Sequence, residues 1–117
     1  MGLSTHVLDT MHGTPAAGMT VALFTTHGEK AELVKRFTLS ADGRNPDGPL
    51  YDNASLRVGT YRLVFDVETY FRTRGVALPE PAFLGQVSLD FGVADASAHY
   101  HVPLLVSPWS YSTYRGS

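Results

Sequence analysis

The sequence predicts an all-β fold, specifically a two-sheet β-sandwich with one short helix. Apolar and polar side chains alternate along residues 60–67, broken only at Val64, and again along residues 87–93. A period of two is the pattern of a half-buried strand. Weaker alternation marks residues 21–25 and 33–39, and turn-rich segments with Gly, Pro, Asn and Asp separate these stretches. Seven or eight short strands at regular spacing favour a sandwich.

The single helix candidate covers residues 67–74 and ends at Gly75, which makes it about two turns long. A chain of 117 residues has the size of one ordinary domain, so we expect a single domain over residues 1–117. Its 44% hydrophobic and 17% charged residues are typical of a globular protein.

Composition argues against several classes of function. The net charge is -2 and no run of like charges occurs, so we expect neither nucleic acid nor a membrane surface as a partner. The absence of cysteine excludes disulfides, thiolate nucleophiles and cysteine-based zinc sites. No apolar stretch approaches the ~20 residues of a membrane span, and the first residues lack a signal-peptide pattern. We therefore expect a cytoplasmic protein, although a secretion signal trimmed from a longer precursor stays compatible with the sequence.

A histidine-bearing strand is expected over residues 98–106, where alternation places His99, His101 and Pro103 on one face. The apolar side chains of the opposite face belong to the core: Tyr100, Val102 and Leu104. The strand continues into residues 104–106, whose pattern is typical of a strand buried on both sides. A sandwich of this length has no spare layer, so we expect a second copy of the chain to cover the histidine face through twofold symmetry.

Histidine is the side chain best suited to proton transfer near neutral pH, and the chain has five. His12 and His27 lie in polar connections, where we expect ordinary solvated roles. His6 shares a strand face with Ser4 and Leu8. His6, His99 and His101 are each either structural or functional, and together they would also suit a three-histidine zinc site. No carboxylate stands out as an orienting partner, so we expect no metal.

Two further segments carry candidate groups. Arg44 lies in the loop 42–46, as a solvated charge or as a planar fork that grips a flat anionic heterocycle. The C-terminal residues 111–117 are unusually aromatic for a chain end, which predicts a docked tail. Docking would bring the hydroxyl and carboxylate of Ser117, and the ring and phenol of Tyr114, to one place.

Several segments together resemble the transthyretin-like family and, within it, the hydroxyisourate hydrolases. The matching segments are residues 3–10 with 13–16, residues 42–44, residues 99–105 and the closing residues 114–117. The closing tetrapeptide is the sharpest marker, because transthyretin itself shares the sandwich but lacks this tail and the active-site histidines. Residues 107–110 and the loop 74–84 depart from the family pattern, which bears on loop shape more than on chemistry.

The resemblance implies a homotetramer, a dimer of dimers, with active sites in a channel at the dimer–dimer interface. It implies hydrolysis of 5-hydroxyisourate, the product of urate oxidation, to 2-oxo-4-hydroxy-4-carboxy-5-ureidoimidazoline on the way to allantoin, with no cofactor. By position, His6, Arg44, His101 and Ser117 match the family's catalytic residues. His6, Arg44 and Tyr114 match its substrate contacts. His99 matches a supporting position, and which histidine is the general base stays open.

Two other functions remain as alternatives. The first is a non-enzymatic carrier that binds an apolar ligand in the same intersubunit channel, against which the histidine and arginine set argues by making the channel polar. The second is a metal-binding or purely structural sandwich. A serine-hydrolase mechanism is disfavoured because the sequence has no Gly-x-Ser-x-Gly segment.

Overall fold

The computed structural model describes residues 2–117 of the chain. This part contains eight strands and one short helix. The elements in chain order are β1 (Leu3–Asp9), β2 (Thr14–Pro15), β3 (Thr20–His27), β4 (Lys30–Thr38), β5 (Gly59–Asp66), α1 (Val67–Thr73), β6 (Gln86–Val93), β7 (Tyr100–Val106) and β8 (Tyr111–Thr113). The predicted all-β fold with one short helix is confirmed.

The strands form two four-stranded sheets. The first has the order β2-β1-β7-β8 and the second the order β4-β3-β5-β6. All neighbouring strands are antiparallel except β1 and β7, which pair in parallel along their whole length. This parallel pair joins the beginning of the chain to its last long strand, and it brings two sequence-distant histidine segments side by side.

The hydrophobic core lies between the two sheets. Every second side chain of β1 and β5 is buried, as their alternation predicts. Val7 and Leu104 from the first sheet and Leu23, Leu63 and Phe65 from the second are fully buried in one cluster. Burying a Leu or Phe side chain contributes roughly 1.5–3 kcal/mol. The side chains on the inner faces of both sheets therefore stabilise the fold, and we look for functional side chains on the outer faces.

Helix α1 follows β5 directly and packs beside the core. The Asp66 carboxylate accepts a hydrogen bond from the Thr69 N–H at 3.3 Å, which caps the first turn. Phe71 is fully buried, and the helix ends at Arg74, whose N–H still donates to the Tyr70 carbonyl. Gly75 follows with a φ of +85°, the left-handed conformation expected after a helix. The predicted helix is confirmed, with Arg74 serving as its cap.

The end of β1 carries a fully buried carboxylate, Asp9. It accepts hydrogen bonds from the backbone and ring nitrogens of His12, at 3.0 and 2.6 Å, and from the Tyr70 hydroxyl at 2.7 Å, while Arg74 lies 3.8 Å away. Burial acts to raise the pKa of Asp9, but these hydrogen bonds outweigh it and hold the pKa below its usual value. His12 is exposed in a turn, as expected, but its ring also has a structural role, because it bonds Asp9 of β1 and stacks on Phe71 of α1.

Strand β7 begins at Tyr100, so His99 lies just before it and the predicted strand starts two residues early. Leu105, expected to be covered on the outer face, is half-buried in the single chain. None of the helices in residues 2–117 is both long and apolar enough to span a membrane.

Candidate active site

The outer face of the first sheet brings the two histidine strands together. In the parallel pairing, Ser4 lies opposite His101, and His6 lies opposite Pro103. Ser4, His6 and His101 are half-buried, while their neighbours along each strand point into the core. The prediction that His6 and His101 face away from the core is confirmed, and both lie on one surface.

The loop before Arg44 approaches this surface through Gly43. The Val7 N–H donates to the Gly43 carbonyl at 3.0 Å, and His6 and Arg44 form a β-bridge. Gly43 has a φ of +77°, and a Cβ there would lie 2.6 Å from the Val7 carbonyl oxygen and 3.3 Å from His6 Cδ2. Only glycine permits this approach, which carries Arg44 to the side of His6.

Asp42 holds the same loop in shape. Its carboxylate accepts from the Ser40 hydroxyl at 2.7 Å and from the Arg44 N–H at 3.1 Å. The Ser40 bond, followed by the Arg44 N–H, lowers the pKa of Asp42 below its usual value. An ionised Asp42 therefore stabilises the turn, while the Arg44 side chain stays exposed.

The C-terminal tail is docked, as the sequence analysis predicted. Strand β8 pairs with β7, and Gly116 then exchanges two backbone hydrogen bonds with His101, at 3.1 and 2.7 Å. The Arg115 guanidinium lies 4.2 Å from the centre of the Tyr100 ring and donates to the His99 carbonyl at 3.2 Å. Such a cation–aromatic contact stabilises the tail by about 0.5–1 kcal/mol. Ser117 follows directly, so it lies next to the His101 bridge.

The site residues line two hollows. One of about 150 Å³ is lined by His6, His101 and Tyr114 together with Leu8 and Leu105. The other, of about 360 Å³, has a polar wall that includes the cationic side chain of Arg44 together with Ser4, Asn45 and His99.

A third hollow of about 340 Å³ lies between β6 and the tail, and Leu89, Phe91 and Val102 are among the residues that line it. It includes neither His6 nor His101, so we assign the candidate chemistry to the two hollows on the histidine face. Tyr114 lines both the third hollow and the smaller histidine hollow.

His101 lies in an environment that favours its neutral form. Burial, and then electrostatic interactions with Arg44, His6 and His99, lower the pKa of His101 below its usual value. A neutral imidazole near pH 7 can accept a proton, which is the property of a general base. His99 contributes to this field, and its buried Nδ1 has no hydrogen-bond partner among residues 2–117.

The structure thus brings together His6, Arg44, His101 and the tail, four of the elements that the sequence analysis singled out. Tyr114 is exposed and lines the smaller histidine hollow. Ser4 is the neighbour that sequence reasoning underrated, because its partner His101 is set by the parallel pairing. Within residues 2–117, no three His, Asp or Glu side chains are arranged to hold a metal ion.

Comparison with known proteins places these features in a family. The model of the HIUase/transthyretin family matches residues 3–116. The chain is 54% identical to 5-hydroxyisourate hydrolase 2 of Rhizobium meliloti, over 98% of this chain and 95% of the relative.

Two solved structures have the same fold over essentially the whole chain. The structure of Klebsiella pneumoniae 5-hydroxyisourate hydrolase superposes with a TM-score of 0.80 at 32% identity, covering 100% of both chains. A crystal structure of (S)-allantoin synthase gives a TM-score of 0.92 at 44% identity, over 99% of this chain. The chain spans only 43% of the length of that second protein.

Proposed function

The chain belongs to the HIUase/transthyretin family, and we propose that it hydrolyses 5-hydroxyisourate, opening the lactam to give 2-oxo-4-hydroxy-4-carboxy-5-ureidoimidazoline. One observation carries the proposal. Two half-buried histidines, a loop arginine and the docked tail converge on one outer face of the sandwich. This set supplies the groups that amide hydrolysis requires, and the names of the similar hydrolases indicate the substrate.

Lactam hydrolysis needs a base for water, a stabiliser for the oxyanion and a proton for the leaving nitrogen. His101 takes a proton from the attacking water, because its surroundings keep it neutral. The water oxygen bonds to the lactam carbon, the carbon–nitrogen bond breaks, and His6 delivers a proton to the nitrogen. The products are an N–H and a carboxylic acid, which releases its proton to become a carboxylate, with one water consumed. His101 has then gained a proton and His6 has lost one, and exchange with solvent restores both.

Arg44 binds the substrate and steadies the developing oxyanion. The substrate is a flat heterocycle with acidic groups, and a guanidinium presents a planar fork of donors to such a partner. Arg44 is exposed beside His6, so its side chain is free to reach a ligand in either hollow. Arg44→Lys keeps the charge and loses the fork, so we expect a marked rise in KM and a fall in kcat/KM in steady-state assays.

The tail closes the site. Tyr114 offers a ring for stacking and a phenol donor, and Ser117 adds its hydroxyl next to the His101 bridge. Removal of residues 114–117 leaves β8 in place and should abolish turnover. A folded truncated protein that retains the full rate would contradict this role of the tail.

The assembly completes the proposal as a homotetramer, a dimer of dimers. In the single chain the outer face of β1 and β7 is open, and Leu8 and Leu105 on it are half-buried rather than covered. A second copy laid on this face would exclude water from His6 and His101 and strengthen the interactions between their charges. Sedimentation at assay concentration should give a tetramer, and a monomer with full activity would refute the shared site.

A non-enzymatic carrier is the rival function and is not favoured. A carrier of apolar ligands is served by an apolar channel, whereas this face holds His6, His101 and Arg44. Two of the similar proteins are named 5-hydroxyisourate hydrolase, and each matches almost the whole of this chain.

The test generates 5-hydroxyisourate from urate with urate oxidase and follows its ultraviolet decay. We expect nanomolar protein to accelerate the decay. Unaltered decay with folded, oligomeric protein, together with tight uptake of an apolar ligand, would establish the carrier instead.

A further inference from the structure

Ser4 makes one side-chain hydrogen bond that the function described so far does not use. Its Oγ lies 2.9 Å from Nδ1 of His101, and the two residues are direct partners in the parallel β1–β7 register. Both side chains are half-buried on the outer face of the sheet. We propose that Ser4 is a positioning residue for His101: its hydroxyl accepts a hydrogen bond from Nδ1–H, which keeps Nε2 as the nitrogen that takes the proton from water.

The physical reason is tautomer control. A neutral imidazole carries one N–H, and the partner of one ring nitrogen decides which nitrogen is protonated. A serine hydroxyl can donate or accept, so the proposal commits to one direction: Ser4 accepts from Nδ1–H, and Nε2 is left without a proton. The inference deepens the proposed hydrolase function and rests on it, since only a base needs an unprotonated Nε2.

Ser4 also fixes the orientation of the ring. A half-turn of the imidazole would replace Nδ1 by Cδ2 opposite the serine and remove the hydrogen bond. On its other side the ring meets the tail, where even an added Cβ on Gly116 would lie 3.2 Å from His101 Cδ2. The ring is thus held between a polar partner at one edge and close packing by the tail.

The neighbouring hydroxyl shows that this contact is not a general property of the strand. Thr5 points to the opposite side, is buried, and donates to the Val102 carbonyl at 2.7 Å, which is a structural bond between β1 and β7. Ser4 alternates with it and makes its side-chain hydrogen bond to an imidazole nitrogen. A serine that served only the strand pairing would contact backbone, as Thr5 does.

The test measures the tautomer directly in substrate-free protein labelled with ¹⁵N-histidine. The His101 signals are assigned by their loss in His101→Asn. We expect Nδ1 to carry the proton in the wild-type protein and in Ser4→Thr, which keeps a hydroxyl. In Ser4→Ala we expect a mixture of tautomers and a kcat lowered roughly 2- to 10-fold, as the loss of one ordinary hydrogen bond allows, with KM little changed.

Thr26→Val is the matched control. It removes a surface strand hydroxyl, bonded to Thr60 on the second sheet, and should leave both the His101 signals and kcat unchanged. A wild-type Nδ1 without a proton, or a Ser4→Ala protein with unaltered tautomer and kcat, would overturn the inference. If the wild-type protein fails to hydrolyse 5-hydroxyisourate while the Nδ1–H state is present, the proposed function fails and the hydrogen bond is merely structural.

Discussion

Gly116→Ala tests whether the tail positions His101. A Cβ at residue 116 would lie 3.0 Å from His101 Cβ, 3.2 Å from Cδ2 and 3.4 Å from Cγ. Carbon atoms prefer a separation of about 3.5–4.0 Å, so the tail or the imidazole must move by about half an ångström. A displacement of 1 Å at a reacting group can cost about 10²-fold in rate, so half of it should cost about 10-fold. We expect kcat for 5-hydroxyisourate to fall by about that factor.

Gly92→Ala is the matched control for this experiment. Gly92 lies in β6, and nothing would lie within 4 Å of a Cβ there. Stopped-flow or initial-rate assays should therefore separate the two variants, while thermal unfolding should give similar midpoints because the tail lies at the sheet edge. A Gly116→Ala protein with the wild-type kcat would refute the argument that close packing of the tail sets the position of the imidazole.

Three further perturbations test other parts of the account. His6→Asn and His101→Asn should each lower the hydrolysis rate by ~10² to 10⁴ in a protein that circular dichroism shows to be folded, and the full rate in either would remove that residue from the mechanism. Arg44→Gln removes a charge that lowers the pKa of His101, so the acid limb of the kcat/KM–pH profile should move to higher pH, and an unmoved limb would show that His101 is not the group observed. Asp9→Asn should lower the free energy of unfolding by about 1–3 kcal/mol at neutral pH, because the buried hydrogen bonds to Asp9 are weakened.

The same Asp9 variant has a pH signature. The pKa of Asp9 in the folded chain lies below its ordinary value of 3.8, so its ionised form stabilises the protein above that pH. This contribution is lost as the pH falls through the folded-state pKa. The free energy of unfolding, measured with denaturant from pH 5 downward, should therefore fall less steeply in Asp9→Asn than in the wild-type protein. The variant has one carboxylate fewer to protonate. Identical slopes would show that the pKa of Asp9 is the same in the folded and unfolded chains, which would contradict the lowered value.

Much of the fold could be predicted from the sequence because alternation reports directly on burial. Residues 60–67 and 87–93 each alternate between buried and more exposed positions, and both segments form strands of the second sheet. The outward direction of His6 and His101 followed from the same period. The docked tail was predicted from its aromatic composition, but the tail is held by backbone hydrogen bonds, and the side chains of Tyr111 and Tyr114 are exposed.

Other features depend on contacts between distant segments. The parallel pairing of β1 with β7 puts Ser4 opposite His101, and no local pattern specifies that partner. The structural contacts of His12 were not foreseen, because the Phe71 ring it stacks on and the Tyr70 hydroxyl that also bonds Asp9 belong to helix α1, far along the chain. The approach of Gly43 to β1 had a visible signal, a glycine directly before the candidate arginine, but its reason is the carbonyl of Val7.

The most direct test of the central claim compares the decay of enzymatically generated 5-hydroxyisourate with no protein, with wild-type protein and with His101→Asn. Each protein is measured before and after treatment with a metal chelator. The account predicts that the wild-type protein accelerates the decay, that the chelator leaves this acceleration intact, and that His101→Asn loses most of it. Equal acceleration by both proteins, or an acceleration that the chelator abolishes, would contradict a metal-independent hydrolysis centred on His101.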